Sequence, residues 1–374
     1  MIKFISNPRI FVITIIWLMF LVVIGTIAQR DIGLFQAQKK YFTSLLLWLE
    51  IGGFNILPLP GGLLTMSILF VNLSSFFLKP NIWTKNKIGI LITHGGALIL
   101  LIGAGITAIF SSEGSMMIAE KNSSNYIQNL YEKEFSISVD YGDQTDSLEI
   151  VNFNQTLLKK NNILNYKNFP FKIKIIDYFV NSELIDKTNQ NKNTKGELAQ
   201  NFDLIQKTPE KEYEKNRSAI KYQIISNQQD ISGIYISHIN EKNNTSIKID
   251  DTFYQLGLRP KRTYLPFEIE LNDFKKVMHP GTEIAKSFSS EVYLNKDDIS
   301  KRFLIEMNAP LRYDGYTFYQ ASYAEFQGRE LSILAVVKNY GRLFPYISSI
   351  IMCIGILIQL IIRIPKLMKK RLNE

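Results

Sequence analysis

The chain has 374 residues, 46% hydrophobic and 21% charged, with 43 Lys and Arg against 34 Asp and Glu for a net charge of +9. A single cysteine allows no disulfide framework, no CxxC redox pair and no CxxCH haem-attachment site, which excludes a thiol oxidoreductase and a c-type cytochrome. No glycine-rich phosphate loop joins a strand to a helix and no GxSxG elbow appears, so nothing marks a nucleotide enzyme or a serine hydrolase.

A mean hydropathy near zero hides two populations. Four apolar segments, 10–28, 59–78, 88–110 and 344–362, are each about 20 residues, the length that crosses a hydrocarbon core at about 1.5 Å per residue. They predict four transmembrane helices. The first has a long apolar run and no small-x-small cleavage site after it, so it reads as a retained span rather than a signal peptide. Between the first two spans, residues 35–49 show helical spacing, with Phe42, Leu45, Leu46 and Leu49 on one side. A helix along the outer surface is expected there, with Tyr41 and Trp48 in the interfacial belt. LPLPGG then breaks the chain. Asn72, Ser74 and Ser75 in the second span read as hydrogen-bonding groups between helices.

The third segment, IGILITHGGALILLIGAGITAIF, carries no formal charge and one histidine, His94, followed by Gly95 and Gly96. An ionisable side chain inside a membrane-length helix faces a partner, a cavity or a cofactor, and neutral imidazole is a common haem and metal ligand. The glycines let a helix or a flat cofactor come close to the backbone. A buried histidine bonded to a neighbouring helix explains the same residues. His94 would lie about 9 Å of helix rise from the start of its span.

From 111 to 342 the period changes to two. FSISVDYG, FKIKIIDYFV, AIKYQIIS, GIYISHI, TSIKID, FEIELNDF, SEVYL, RFLIEM, YTFYQASY and LSILAVV alternate or are β-branched and aromatic. They predict a large antiparallel β-sandwich-like domain between helices three and four. Asp314-Gly315 between two tyrosines marks a two-residue hairpin. Residues 181–216, rich in Lys, Asn, Gln and Glu, read as a mobile surface loop or insertion. His238 falls in a strand and His279 in a turn, neither in a metal-ligand setting. Arg259 and Arg312 are candidate partners for carboxylates.

Lys3 and Arg9, then Lys79, Lys85 and Lys87, then Arg363, Lys366, Lys369, Lys370 and Arg371 beside Glu374 account for the whole +9. An even number of spans places these three segments on one face, the cytoplasmic one by the positive-inside rule. The basic balance is therefore a topology signal and does not point to nucleic acid. The domains expected are 1–110 with three helices, 111–342 outside, and 343–374 with the fourth helix and a basic cytoplasmic tail. Both termini are expected in the cytoplasm of a bacterial inner membrane.

GTIAQ at the end of span one, LPGG before span two, THGG in span three, LPFEIELNDF, and MNAPLRYDGYTFYQASY before the last span occur in an order that resembles the ResB (CcsB) family of cytochrome c biogenesis. The resemblance covers nearly the whole chain, and its most specific piece is the tyrosine-rich stretch from Met307 to Tyr323. It implies a subunit of a haem export and holocytochrome c synthase complex. Such a subunit acts with a ResC/CcsA-type membrane protein to deliver haem b across the bilayer to the CxxCH of apocytochrome c.

By resemblance, His94 is an axial ligand of haem iron beside Gly95 and Gly96, with the second ligand from the partner. The tryptophan-rich motif of the partner is absent, as a split system requires. No catalytic residue is assigned. Tyr313, Tyr316, Phe318, Tyr319 and Tyr323 fit either a core face or an aromatic binding face. The alternatives are a non-catalytic membrane scaffold and a b-type haem electron carrier. The carrier needs two membrane histidines in one chain, and the sequence has one.

Overall fold

The computed structural model describes residues 2–51, 54–141, 149–187, 193–239, 245–282, 285–326 and 328–371. Two compact units divide the chain. One comprises Met1–Ser112, Arg312–Thr317 and Val337–Glu374; the other comprises Glu113–Leu311 and Phe318–Val336.

The first unit holds four long helices: α1 (Pro8–Ile32), α2 (Gly62–Phe76), α3 (Ile88–Phe110) and α4 (Phe344–Arg371). Pro8 starts α1, where its missing N–H is no loss, and the Asn7 side chain accepts from the Arg9 N–H at 3.0 Å as a cap. Pro8–Ile32, Lys85–Phe110 and Phe344–Pro365 are long and apolar enough to cross a membrane, and only 17%, 17% and 11% of their apolar windows are buried in the protein. That much unburied apolar surface belongs in lipid. α2 is apolar but only 15 residues, about 22 Å of helix.

The surface helix expected over 35–49 is not what forms. A short helix, Leu34–Ala37, runs into a π-helical turn, Gln38–Phe42, and the chain then enters a hairpin of β1 (Leu46–Ile51) and β2 (Phe54–Pro60). Leu46 pairs with Pro60 and Trp48 with Pro58. The run LLLWLEI is apolar at both helical and strand periods, so spacing alone did not discriminate. The matching run FNILPLP decides it, and its prolines are tolerated because both strands of a two-stranded ribbon are edges. Pro60 also accepts the indole N–H of Trp17 at 2.8 Å, which ties the hairpin's base to α1. α2 accordingly begins at Gly62.

α3 and α4 run antiparallel in close contact. A Cβ on Gly89 would lie 2.5 Å from the Gln359 N, one on Gly96 2.7 Å from Met352 Cγ, and one on Gly103 would collide with Phe344. From the other side, a Cβ on Gly355 would lie 2.6 Å from the Thr93 N. Asn72 of α2 donates to the carbonyls of Ile5 and Asn7, the cross-segment bond expected of it. Ser75 bonds within its own helix, to the Asn72 carbonyl at 2.7 Å. The Asp314-Gly315 turn has φ of +49° and +78°, the left-handed pair a two-residue hairpin needs.

The second unit is β-rich. In chain order its strands are β3 (Ser112–Ala119), β4 (Ser123–Asp140), β5 (Glu149–Asn154), β6 (Ile163–Leu164), β7 (Phe171–Phe179), β8 (Ser182–Asp186) and β9 (Phe202–Gln206). There follow β10 (Ala219–Ser226), β11 (Gly233–His238), β12 (Thr245–Ile249), β13 (Thr252–Met278), β14 (Ala285–Lys296), β15 (Ile299–Glu306), β16 (Leu311–Tyr313), β17 (Tyr316–Phe326) and β18 (Arg329–Lys338). One sheet has the order β11-β10-β7-β6; the larger runs β15-β14-β13-β4-β3-β18-β17, with β5 on β4 and β12 on β13. All ladders of described register are antiparallel.

The two sheets enclose a core of Phe135, Ile137 and Val139 against Ile173, Ile175, Ile220, Tyr222 and Ile224, completed by Tyr254, Leu256 and Leu258. This is the sandwich-like arrangement expected from the alternation. The polar stretch 181–216 is not a loop throughout. β8 pairs with β9, Glu197–Asn201 is helical, and Asn181 holds both ends by donating to the Thr208 carbonyl and accepting from the Arg217 N–H. Its two strands, SELID and FDLIQ, are only five residues each and mix Glu, Asp and Gln with adjacent aliphatics, so no clean alternation shows. Residues 188–192 lie outside the described set.

Burial pushes the Tyr222 phenol up to about 12. The fold favours the neutral ring, whereas an unfolded tyrosine ionises near 10, so stability is unaffected below about pH 10 and falls as pH rises from there towards 12. Tyr222→Phe is expected to flatten that alkaline limb, measured by unfolding at stepped pH alongside a tyrosinate absorbance titration.

Candidate functional site

α3 places His94 two residues before the Gly96 contact, on the flank of the α3–α4 seam. Its Nδ1 lies 2.8 Å from the Ile90 carbonyl one turn earlier. A carbonyl can only accept, so Nδ1 carries the hydrogen and, in the neutral ring, Nε2 carries the lone pair. The ring stacks on Phe76 at the end of α2, with centroids 4.4 Å apart and planes 18° from parallel. The imidazole is thus oriented by its own helix and by α2 and is partly buried.

A groove of about 280 Å³ opens beside it, lined by Ile90, Thr93 and His94 of α3 and by Ile356, Gln359, Leu360 and Arg363 of α4. The α4 residues recur at the three- and four-residue spacing of one helical stripe. Gln359 is committed: its Oε1 accepts from the Ile90 N–H at 3.2 Å and its Nε2 donates to the Asn86 carbonyl at 3.2 Å. Besides Gln359, His94 and the charged Arg363, the remaining walls are apolar except for Thr93, whose hydroxyl bonds the Gly89 carbonyl at 2.9 Å.

The two glycines after His94 differ. Gly96 is buried against α4, where a Cβ would meet Met352 and, at 3.0 Å, the Ser348 carbonyl. Gly95 faces open space, with only Phe77 at 4.0 Å from a Cβ built there. Gly96 therefore sets the helix approach, and Gly95 leaves the surface beside the imidazole low.

The donor set fits a haem iron better than a bare metal ion. Among the described residues no group of three or more His, Cys, Asp or Glu could hold a metal. Haem brings four nitrogens of its own and asks the protein for one axial donor and apolar walls, and His94 in this groove offers both. A histidine ligand bonded through its other nitrogen to a carbonyl is the usual arrangement at metal centres.

The remaining candidates fall elsewhere. His238 is buried in β11 and His279 is exposed. Arg259 is bound to Glu134 at 2.9 Å and to Asn152 at 3.1 Å. Phe318 is fully buried against Phe267, and Tyr316 is 7% exposed under the Lys338 ammonium. Tyr323 packs with Phe274 and Phe288. These three take the core reading, while Tyr319 faces outward. Sequence reasoning missed Gln359, Arg363 and Phe76. The stripe 356, 359, 360, 363 could have shown the first two, but Arg363 had been counted only as a topology charge.

Residues 233–333 match the model of the ResB-like family. That stretch of the chain is similar to the ResB-like family. The match contains LPFEIELNDF and the stretch from Met307 to Tyr323, and the resemblance read from those motifs is borne out. THGG and His94 lie before it. The chain is also 24% identical over 271 residues to Protein NrfI of Wolinella succinogenes, across 71% of this chain and 26% of that protein. It thus spans about a quarter of the length of this curated relative. With three helices long and apolar enough to cross a bilayer among its described residues, and with this similarity, the chain is a membrane protein.

The glycine pair gives a test of the seam. Gly96→Leu is expected to cost about 1–3 kcal/mol through overpacking against Met352, while Gly95→Ala stays within about 0.5 kcal/mol. Thermal unfolding of the detergent-solubilised protein measures both.

Proposed function

We propose that this chain is the ResB-type subunit of a cytochrome c biogenesis complex and that haem passes through the membrane held on His94. The match to the ResB-like family model and the likeness to Protein NrfI support the process. The observation that carries the site is that His94, which lines a largely apolar groove, bonds the Ile90 carbonyl through Nδ1 and so keeps the Nε2 lone pair unspent.

In this reading the chain is multi-pass in a bacterial inner membrane. Its basic segments face the cytoplasm and the β-rich unit lies outside. α2 makes the fourth crossing by drawing on the residues that flank it. Haem b is cargo. One histidine gives one axial ligand, so a ResC/CcsA-type membrane protein supplies the second, and apocytochrome c receives the haem outside. The β-rich unit, with no thiol and no paired haem ligands in its sequence, positions the partner and the apocytochrome rather than making thioether bonds.

His94→Ala is the test. The protein purified with its partner should show a haem Soret band that His94→Ala abolishes and added imidazole restores. A band indifferent to the substitution returns His94 to a packing residue stacked on Phe76, and the chain to a scaffold for its partner.

A further inference from the structure

Arg363 is the one formally charged side chain lining the groove beside His94. Resting on the proposed haem site, we propose that its guanidinium binds the anionic carboxylates of the tetrapyrrole and fixes which end of the ring points towards the basic face.

The charge bookkeeping of the first unit makes Arg363 unusual. Residues 51–112 and 331–373 contain no Asp or Glu, so the helices that build the groove hold no counter-ion for it. Among the described residues Arg363 forms no salt bridge. Lys79 and Lys87, in the loop between α2 and α3, are occupied: they donate to the Ser6 and Asn81 carbonyls at 2.8 and 2.9 Å. Arg363 extends the Ile356, Gln359, Leu360 stripe by one more step at the groove's mouth, exposed and unpaired.

The antiparallel seam sets the spacing. Thr93 meets Gly355 and Gly89 meets Gln359, so His94 lies near the level of Ile354 and Arg363 about 14 Å further along α4, within reach of its long side chain. A ligand reaching both must be apolar through its body, carry a metal that accepts imidazole, and end in an anion. A metalloporphyrin with free carboxylates has those three features in that order. Guanidinium pairs with carboxylate through parallel N–H donors, so the contact also fixes orientation. An anionic lipid headgroup offers the same charge at the mouth but nothing for His94, and its contribution is separable.

The test uses the full chain with its ResC-type partner in nanodiscs, stripped of haem and titrated with haem or haem dimethyl ester while the Soret band is followed. Arg363→Gln should weaken haem binding about tenfold and leave the ester within about twofold, with Arg363→Lys intermediate for haem. Equal weakening of both ligands, or of neither, overturns the proposal. So does an effect that appears only in phosphatidylglycerol discs and not in phosphatidylcholine discs, which would make Arg363 a headgroup anchor. His94→Ala runs in parallel. Loss of the Soret shift for both ligands upholds the underlying site; no loss sinks that site, whatever Arg363 does.

Discussion

The close approach of α3 to α4 governs the first unit. Lipid tails are as apolar as leucine, so no hydrophobic force presses two membrane helices together, and association depends on backbones coming near enough for dense packing and hydrogen bonds. Gly89, Gly96 and Gly103, seven residues apart, supply that approach from α3, and Gly355 answers from α4. The spacing keeps all three on one face for the length of an antiparallel crossing. Beside that seam stands His94, and the groove exists because Gly89 and Gly355 bring the two walls together at its floor.

Among the described residues, His94 makes no hydrogen bond to a neighbouring helix. Its Nδ1 bond goes to Ile90 in the same helix, and Phe76 covers one face of the ring. This disposes of the need that usually explains a buried histidine, since the imidazole is oriented without spending Nε2. A ring fixed in tautomer and direction loses little entropy on binding a metal. The pairing of a rigid seam with an oriented imidazole is therefore more informative than either feature alone.

Much of this was legible in the sequence, and the failures have physical causes. The span of α3 was visible in its residues because nothing but membrane or core tolerates 23 uncharged and predominantly apolar positions in a row. The sandwich showed in its alternation, and Asp314-Gly315 announced its turn through the only residues that adopt two positive φ angles cheaply. The β1–β2 hairpin was missed because LLLWLEI is apolar at every position but Glu50 and so carries no clear period. β8 and β9 were hidden because a ribbon exposed on one face reads as polar. At the site, THGG pointed to His94 but could not distinguish its glycines, which differ only in which neighbour α4 presents. Arg363 was invisible as a groove residue, because its place depends on how α4 is rotated against α3.

A site with one histidine and one unpaired arginine is suited to passing a ligand on. A bis-histidine pocket within one chain would hold haem as a resident group; a single axial donor on an open groove holds it loosely. Adding a second donor from another polypeptide makes retention depend on assembly, because a tethered ligand acts at high effective concentration only while the two chains are together. The groove between α3 and α4 keeps one side open. That openness would be a defect in an electron carrier, which must shield its iron and keep it. For cargo that must leave on the far side it is a requirement, and it favours the transport reading over the carrier on structural grounds as well as on histidine count.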